Sequence, residues 1–209
     1  MVIIIASSNQ GKVKEFNSII LTSQAPLDIK FTTIKECCPD IVFDPEETGS
    51  SFQENAMIKA QAAVKILSEN PTPSSLLPNP FVMSDDSGIE IEALDGRPGI
   101  YSARYLRNNG LTGLLTELGD NPNRKCRFVC HITLLNSQGK LVFETEQYWT
   151  GTITHAPRGK NGFGYDPIVI PDEYPNQTVA ELSDEIKSQI SHRAQALLAC
   201  LPVMTSSIN

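Results

Sequence analysis

VIIIASSNQGKVKEFNSIIL, residues 2–21, decides the fold class. Its first four residues are β-branched and apolar without alternation, the pattern of a strand buried on both faces. The polar loop ASSNQ follows. Then GKVKEFNSIIL places Val13, Phe16, Ile19 and Ile20 on one helical face. A buried strand feeding directly into a helix is the opening of an α/β protein.

Outward from this unit the alternation continues. LDIKFTTI (27–34) alternates and predicts a strand. SFQENAMIKAQAAVKILSEN (51–70) predicts the clearest helix, with Ser51 and Glu54 as a capping box and Ala56, Ile58, Ala62, Ala63, Ile66 and Leu67 on its apolar side. PTPSSLLPNP (71–80) carries too many prolines for a regular element and predicts a loop or lobe junction. FVMS and IEIEAL read as strands on either side of DDSG, and DGRPG (95–99) is turn chemistry. GLTGLLTELGD predicts a short helix ending near Gly119. RKCRFVCHITLLN and LVFETEQYWTGTI predict a long antiparallel hairpin turning at Gly139. A last helix is expected from near Ser183 through EIKSQISHRAQALLACL, with Asp184 and Glu185 in its first turn. The sum is α/β with a mixed sheet, long and twisted, with helices packed on it.

Composition narrows the function classes. The chain has 209 residues, 40% hydrophobic and 20% charged, which suits one domain of one or two lobes with a sizeable core. A formal net charge of −7 argues against a broad basic face and so against nucleic acid as partner. No apolar run approaches the roughly 18 residues of a membrane helix, and the N-terminal apolar stretch lacks the basic flank of a signal peptide. A cytoplasmic protein without a membrane partner is expected. The five cysteines (Cys37, Cys38, Cys126, Cys130 and Cys200) form no secreted framework. Cys126 and Cys130 beside His131 lack the second ligand pair of a zinc site, so buried, reduced thiols are expected.

Five stretches could carry chemistry. SSNQGK (7–12) joins a strand to a helix N-terminus, where free amides and a partial positive charge favour anions, and Lys12 adds charge. It is not a Walker A loop, because the first glycine is missing. Read alone, it is also an ordinary capped turn. PEETG (45–49) places Glu46 and Glu47 before the capped helix, and Lys59 projects from that helix one turn past the box. Read alone, this stretch is first a solvated acidic loop with a surface lysine. In SDDSG (84–88), Asp85 and Asp86 could hold a hard divalent cation, with Ser87 and Gly88 allowing close backbone approach. A tight turn capped by one aspartate is the structural alternative. GFGYDP (162–167) leaves Phe163 free to stack on a flat ligand, or is a glycine turn with core aromatics. Lys187, His192 and Arg193, in EIKSQISHRAQAL, would make a donor-rich patch.

Taken in order, these motifs resemble one family, the inosine triphosphate pyrophosphatases, or XTP/dITP diphosphatases. The match runs from IIIASSNQGKVKE through PEETGSSFQENAMIKA, SDDSGIEIEALDGRPGIYSARY and GFGYDPI to AELSDEIKSQISHRAQAL, nearly the whole chain. The resemblance implies hydrolysis of the α–β phosphoanhydride of ITP, dITP and XTP. It implies Mg²⁺, a homodimer, and an elongated mixed sheet whose packed helices form two lobes around a central cleft, residues 1–209 making one such domain. It implies triphosphate contacts from Ser7, Ser8, Asn9, Gln10, Gly11 and Lys12, with Lys59 a further phosphate contact. Glu46 and Asp86 would hold the metal, Asp86 being the catalytic carboxylate with Asp85 in support. Ser87, Phe163, Gly164, Tyr165, Asp166, Lys187, His192 and Arg193 would hold the nucleotide. Ser7 stands where the family usually has Thr, and the Pro-rich stretch is longer than the usual link. A related pyrophosphatase acting on dUTP, dTTP or modified pyrimidines, and a nucleotide-sensing module without hydrolysis, are the alternatives.

Overall fold

The computed structural model describes residues 2–23, 29–70 and 80–206. In chain order its elements are β1 (Val2–Ile5), α1 (Gln10–Thr22), β2 (Lys30–Thr33), α2 (Ile34–Cys37), α3 (Phe52–Glu69), β3 (Phe81–Ile91), β4 (Pro98–Gly99), α4 (Ser102–Leu118), β5 (Lys125–Leu135), β6 (Leu141–Ile153), β7 (Val169–Pro171), α5 (Asp184–Ile190) and α6 (His192–Ser206). The strands are hydrogen-bonded in the order β2-β1-β3-β5-β6-β7, with β4 on β3. Parallel and antiparallel pairs coexist, so the fold is the mixed α/β expected. Residues 71–79 of the expected Pro-rich loop, and Leu27 and Asp28 of the expected second strand, lie outside the described residues.

The chain divides into two compact units. One comprises Met1–Asp86, His131–Glu146 and Ala196–Asn209, the other Ser87–Cys130 and Gln147–Gln195. The division falls within β3, between Asp86 and Ser87.

In the first unit β1 is central, paired in parallel with β2 on one side and with Phe81–Met83 of β3 on the other. Ile3, Ile4 and Ile5 are all fully buried, which explains why β1 is uniformly apolar. Parallel neighbours require crossover connections, supplied by α1 between β1 and β2 and by α2 and α3 between β2 and β3. α3 presents Ala56, Ala60 and Ala63 to the core, small enough for close approach; the Ser84 hydroxyl of β3 donates to the Ala56 carbonyl at 2.5 Å. Ser51 caps α3 by accepting from the Glu54 amide, but the Glu54 carboxylate reaches Ser50 rather than Ser51. The expected box is therefore half formed. The turn between β5 and β6 sits where expected: Gly139 has φ 79° and the Asn136 side chain accepts from the Gln138 and Lys140 amides.

In the second unit Ile89 and Ile91 of β3 join Leu114, Leu118, Phe128, Trp149, Ile168 and Leu182 in one core. Arg124 acts as a buried staple, its guanidinium donating to the carbonyls of Gly119, Ile153 and Thr154 at 2.8–2.9 Å.

Three sequence expectations change. FVMS and the first three residues of IEIEAL are one continuous strand, with Glu92–Leu94 a 3-10 turn after it, so SDDSG lies inside β3 and not in a turn. The expected short helix begins eight residues earlier, at Ser102, and runs through a break at Gly110 (φ 64°). The last helix is two helices, α5 and α6, parted at Ser191 by an extended backbone (ψ 156°). Lys187 and His192 therefore do not share a helix.

Candidate active site

Adjacent strand residues point to opposite faces of a sheet, so Asp85 and Asp86 diverge. The chain leaves β1 in one direction toward β2 and returns past β1 to β3. With right-handed crossovers, that reversal sets α1 and α3 on opposite faces. Each carboxylate accordingly meets a different lysine. Lys12 Nζ of α1 lies 2.8 Å from Asp85 Oδ2, and Lys59 Nζ of α3 lies 2.7 Å from Asp86 Oδ1 and 3.0 Å from Glu47 Oε1. Asp85, Asp86 and Lys59 are all buried. Lys59 is thus a core ion rather than a surface lysine.

Local backbone brings Glu47 to this point. The Gly49 amide donates to Asn55 Oδ1 at 2.9 Å, and a Cβ on Gly49 would sit 2.7 Å from that same oxygen. Glycine is required there, and the buried Asn55 fastens the PEETG loop onto the first turn of α3. Glu46, the expected metal ligand, is exposed, whereas Glu47 is half-buried against Lys59. Asn55 is none of the candidate site residues that the sequence singles out. An amide one position past the helix's first acidic residue was the available signal.

Electrostatics follow from this packing. Burial works to lower the Lys59 ammonium, but the Asp86, Asp85 and Glu47 carboxylates outweigh it and hold its pKa above the ordinary value. Burial pushes the Asp86 carboxyl above the ordinary carboxylate range, against the pull of Lys59 and Lys12 and with the help of Glu47. Asp86 Oδ2 is buried with no hydrogen-bond partner among the described residues. That oxygen is a hard donor of the kind a divalent cation takes. No group of three or more His, Cys, Asp and Glu gathers into a metal cage among the described residues.

The β1–α1 loop starts at Ala6, whose amide donates to Met83 of β3 at 2.8 Å. Asn9 caps α1, its Oδ1 accepting from the Gly11 and Lys12 amides at 2.9 and 3.4 Å, and Ser7 Oγ accepts from the Asn9 amide at 3.2 Å. Ser8, Asn9 and Gln10 are exposed. The expected anion contacts at the first turn are therefore already engaged at Gly11 and Lys12 by the cap, and Lys12's ammonium is the charge that this loop contributes.

The second unit carries its own cluster. Phe163 sits between Gly162 and Gly164, both with positive φ, and keeps 36% of its surface exposed. Beneath it Asp166 Oδ2 accepts from the Phe163 amide and from Lys187 Nζ, each at 2.8 Å. Any Cβ on Gly162 would fall 2.0 Å from that oxygen. Lys187 Nζ and the Arg193 guanidinium lie 4.9 and 5.6 Å from the Phe163 ring centre, within cation–π range. Arg193 Nη2 donates to Ser87 Oγ at 2.8 Å, and Ser87 directly follows Asp86 along β3. This unit brings Ser87, Phe163, Asp166, Lys187 and Arg193 into one connected set, with Gly164 following Phe163 in the loop. Tyr165 goes elsewhere: its ring enters the core and its hydroxyl donates to the Ser102 carbonyl at 2.8 Å. His192 is buried and stacked on Phe128.

Solved structures share this fold. The chain superposes on the Ham1 protein of Staphylococcus aureus with a TM-score of 0.78 at 38% identity, covering 99% of this chain and 100% of that one. A HAM1 protein from Coxiella burnetii gives 0.78 at 35% identity, covering 99% of both. A curated relative in Nostoc sp., named dITP/XTP pyrophosphatase, is 35% identical over 211 residues, 100% of this chain and 96% of that protein. One of the same name in Staphylococcus aureus is 41% identical over 203 residues, 93% of this chain and 92% of that protein. An α/β protein carrying two buried aspartates, each paired with its own lysine, and a basic patch around an exposed phenylalanine is the class defined by fold and site. The Ham1 family profile matches residues 3–203, and the chain belongs to the Ham1 family.

Proposed function

We propose that the chain is a Mg²⁺-dependent pyrophosphatase that cleaves dITP, ITP and XTP to the monophosphate and pyrophosphate. The observation that carries this is Asp86: buried, one oxygen on Lys59, the other without a hydrogen-bond partner among the described residues. The relatives' names supply the substrate class.

Asp86, with Glu46 or Glu47 from the PEETG loop, is the set that would hold the metal. Bound there, Mg²⁺ would supply charge neutralisation of phosphate oxygens and a lowered water pKa. Asp86 orients a water for attack on the α-phosphorus and takes its proton. The new bond joins water oxygen to Pα, the Pα–O bond to the β-phosphate breaks, and pyrophosphate leaves with that oxygen. Lys12 and Lys59 turn from their carboxylates toward the phosphates and stabilise the leaving charge. Asp85 keeps Lys12 in place between turnovers.

The base end falls to the second unit. Phe163 stacks on the purine, Asp166 fixes the Phe163 backbone and Lys187, and donors of His192 and Arg193 meet the 6-oxo group that hypoxanthine and xanthine share. Adenine offers an amino group at that position and is rejected. A site built to hydrogen-bond its substrate discriminates by up to ~10⁴–10⁵. A homodimer and a cytoplasmic location belong to the same proposal and rest on the family resemblance. No helix of the described residues is long and apolar enough to cross a membrane.

Pyrophosphate release, with and without Mg²⁺, across dITP, XTP, GTP, ATP, dUTP and dTTP tests the reading. Metal-dependent release confined to dITP and XTP is expected. Preference for dUTP or dTTP overturns the substrate class, and binding without release overturns the reaction.

A further inference from the structure

His192 is held in a stack of rings. Its imidazole lies 4.9 Å from Phe128, centre to centre, with the planes 9° apart. Trp149 is 6.4 Å from the imidazole at 21° and 6.1 Å from Phe128 at 30°. The indole plane is itself pinned, since Trp149 Nε1–H donates to Glu173 Oε2 at 3.0 Å. All four residues belong to the second unit.

A histidine ring turns about χ2, a broad and soft torsion, so its own backbone does not choose where the ring nitrogens point. Here the choice falls to the neighbours. The imidazole faces Phe128 with the planes 9° apart, a pairing that permits sliding but resists tilting, and Trp149 lies against both rings at 21° and 30°. Ser191 ends α5 with extended backbone, which starts α6 at His192 and delivers the ring to the stack while the next residue, Arg193, reaches Ser87. A histidine buried only for bulk would not require a phenyl ring held parallel to it within 9°, nor a hydrogen bond fixing the third ring beside the pair.

We infer that Phe128 and Trp149 are positioning residues for base selection: they set the plane of His192, and through it the direction from which the purine 6-oxo group is read. The inference rests on the proposed role of His192. Neither ring touches the reacting atoms, so their loss should weaken discrimination more than turnover.

The test compares kcat and KM for dITP and dATP across variants of the full chain. Phe128→Leu should lower the dITP-to-dATP ratio of kcat/KM by about three- to tenfold, the range one aromatic pair is worth, chiefly through KM for dITP. Phe128→Met, which fills volume without a ring plane, carries the same expectation should the leucine variant fail to fold. Trp149→Phe retains a ring and should keep the ratio within about twofold, the low end for an aromatic pair. Phe16→Leu, a core change in the first unit, controls for general loosening and should leave the ratio unchanged. A folded Phe128→Leu or Phe128→Met with the parent ratio overturns the inference, as does an equal fall in Phe16→Leu. His192→Ala separates the layers. If it leaves the ratio intact, the base-contact reading of His192 falls and this inference with it. If it lowers the ratio and Phe128→Leu does not, only the inference falls. As an independent readout, Trp149 is the only tryptophan in the chain. Adding dIMP should shift its emission in the parent and not in His192→Ala; the same shift in both overturns the coupling of stack and base.

Discussion

At Asp86 the decisive fact is a carboxylate with one oxygen satisfied and one left over. Asp86→Asn should cost at least about 10² in kcat, as expected for loss of a general base, while the protein stays folded; pyrophosphate release against a thermal melt checks both. Lys59→Met strands Asp86 beside Glu47 and should destabilise by about 3–5 kcal/mol at neutral pH, the cost of breaking a buried pair. The sign with pH follows from Asp86, whose carboxyl burial raises and Lys59 pulls down, so that losing Lys59 raises it further. A group whose folded pKa is raised contributes stability that is full below its unfolded value and lost as pH rises through the folded one. The Lys59→Met deficit is therefore largest near pH 7 and shrinks as Asp86 takes up a proton; melts from pH 7 down toward 4.5 should show the gap to wild type closing. A gap that widens toward acid refutes the assignment. Both aspartates and both lysines stand plainly in the sequence. Their pairing does not, because each contact spans tens of residues and depends on which face each side chain takes.

Two glycines govern the elements that present these side chains. Gly162→Ala puts a Cβ into Asp166 at a backbone angle alanine resists, so it should loosen Phe163 and Lys187 and raise KM for dITP about tenfold or more, an effect of about 1.4 kcal/mol, with a smaller change in kcat. Steady-state kinetics reads the split. Gly49→Ala should detach the PEETG loop from Asn55 and weaken Mg²⁺ binding measured by calorimetry, without moving the circular dichroism of α3. Helix and strand existence were legible because periodicity and caps are local: β1, α1, α3 and the β5–β6 hairpin all fall where the pattern puts them. The errors came where local signals conflict. DDSG reads as a turn, yet β3 carries it straight through because both aspartates find cations. The uninterrupted run EIKSQISHRAQAL hides the break at Ser191, which serves the placement of His192 and Arg193 rather than helix propensity.

For the whole molecule, the cysteines give a direct check. All five are free, and among them only Cys37 is not buried. Burial pushes the Cys200 thiol up to about 12 and raises Cys37 as well. A thiol reagent should label at most one site in the native protein and all five in denaturant, and reductant should leave Tm unchanged. The sequence by itself determined the α/β class, the order of elements and the inventory of chemical groups, because apolar periodicity, caps and turn residues act over a few positions. Only the tertiary structure decided that Lys59 is a core ion, that Glu47 rather than Glu46 meets it, that Tyr165 packs inward, and that His192 lies in a ring stack. Those outcomes depend on burial and on partners distant in the chain, where desolvation, charge pairing and ring contact choose among positions that local pattern leaves equivalent.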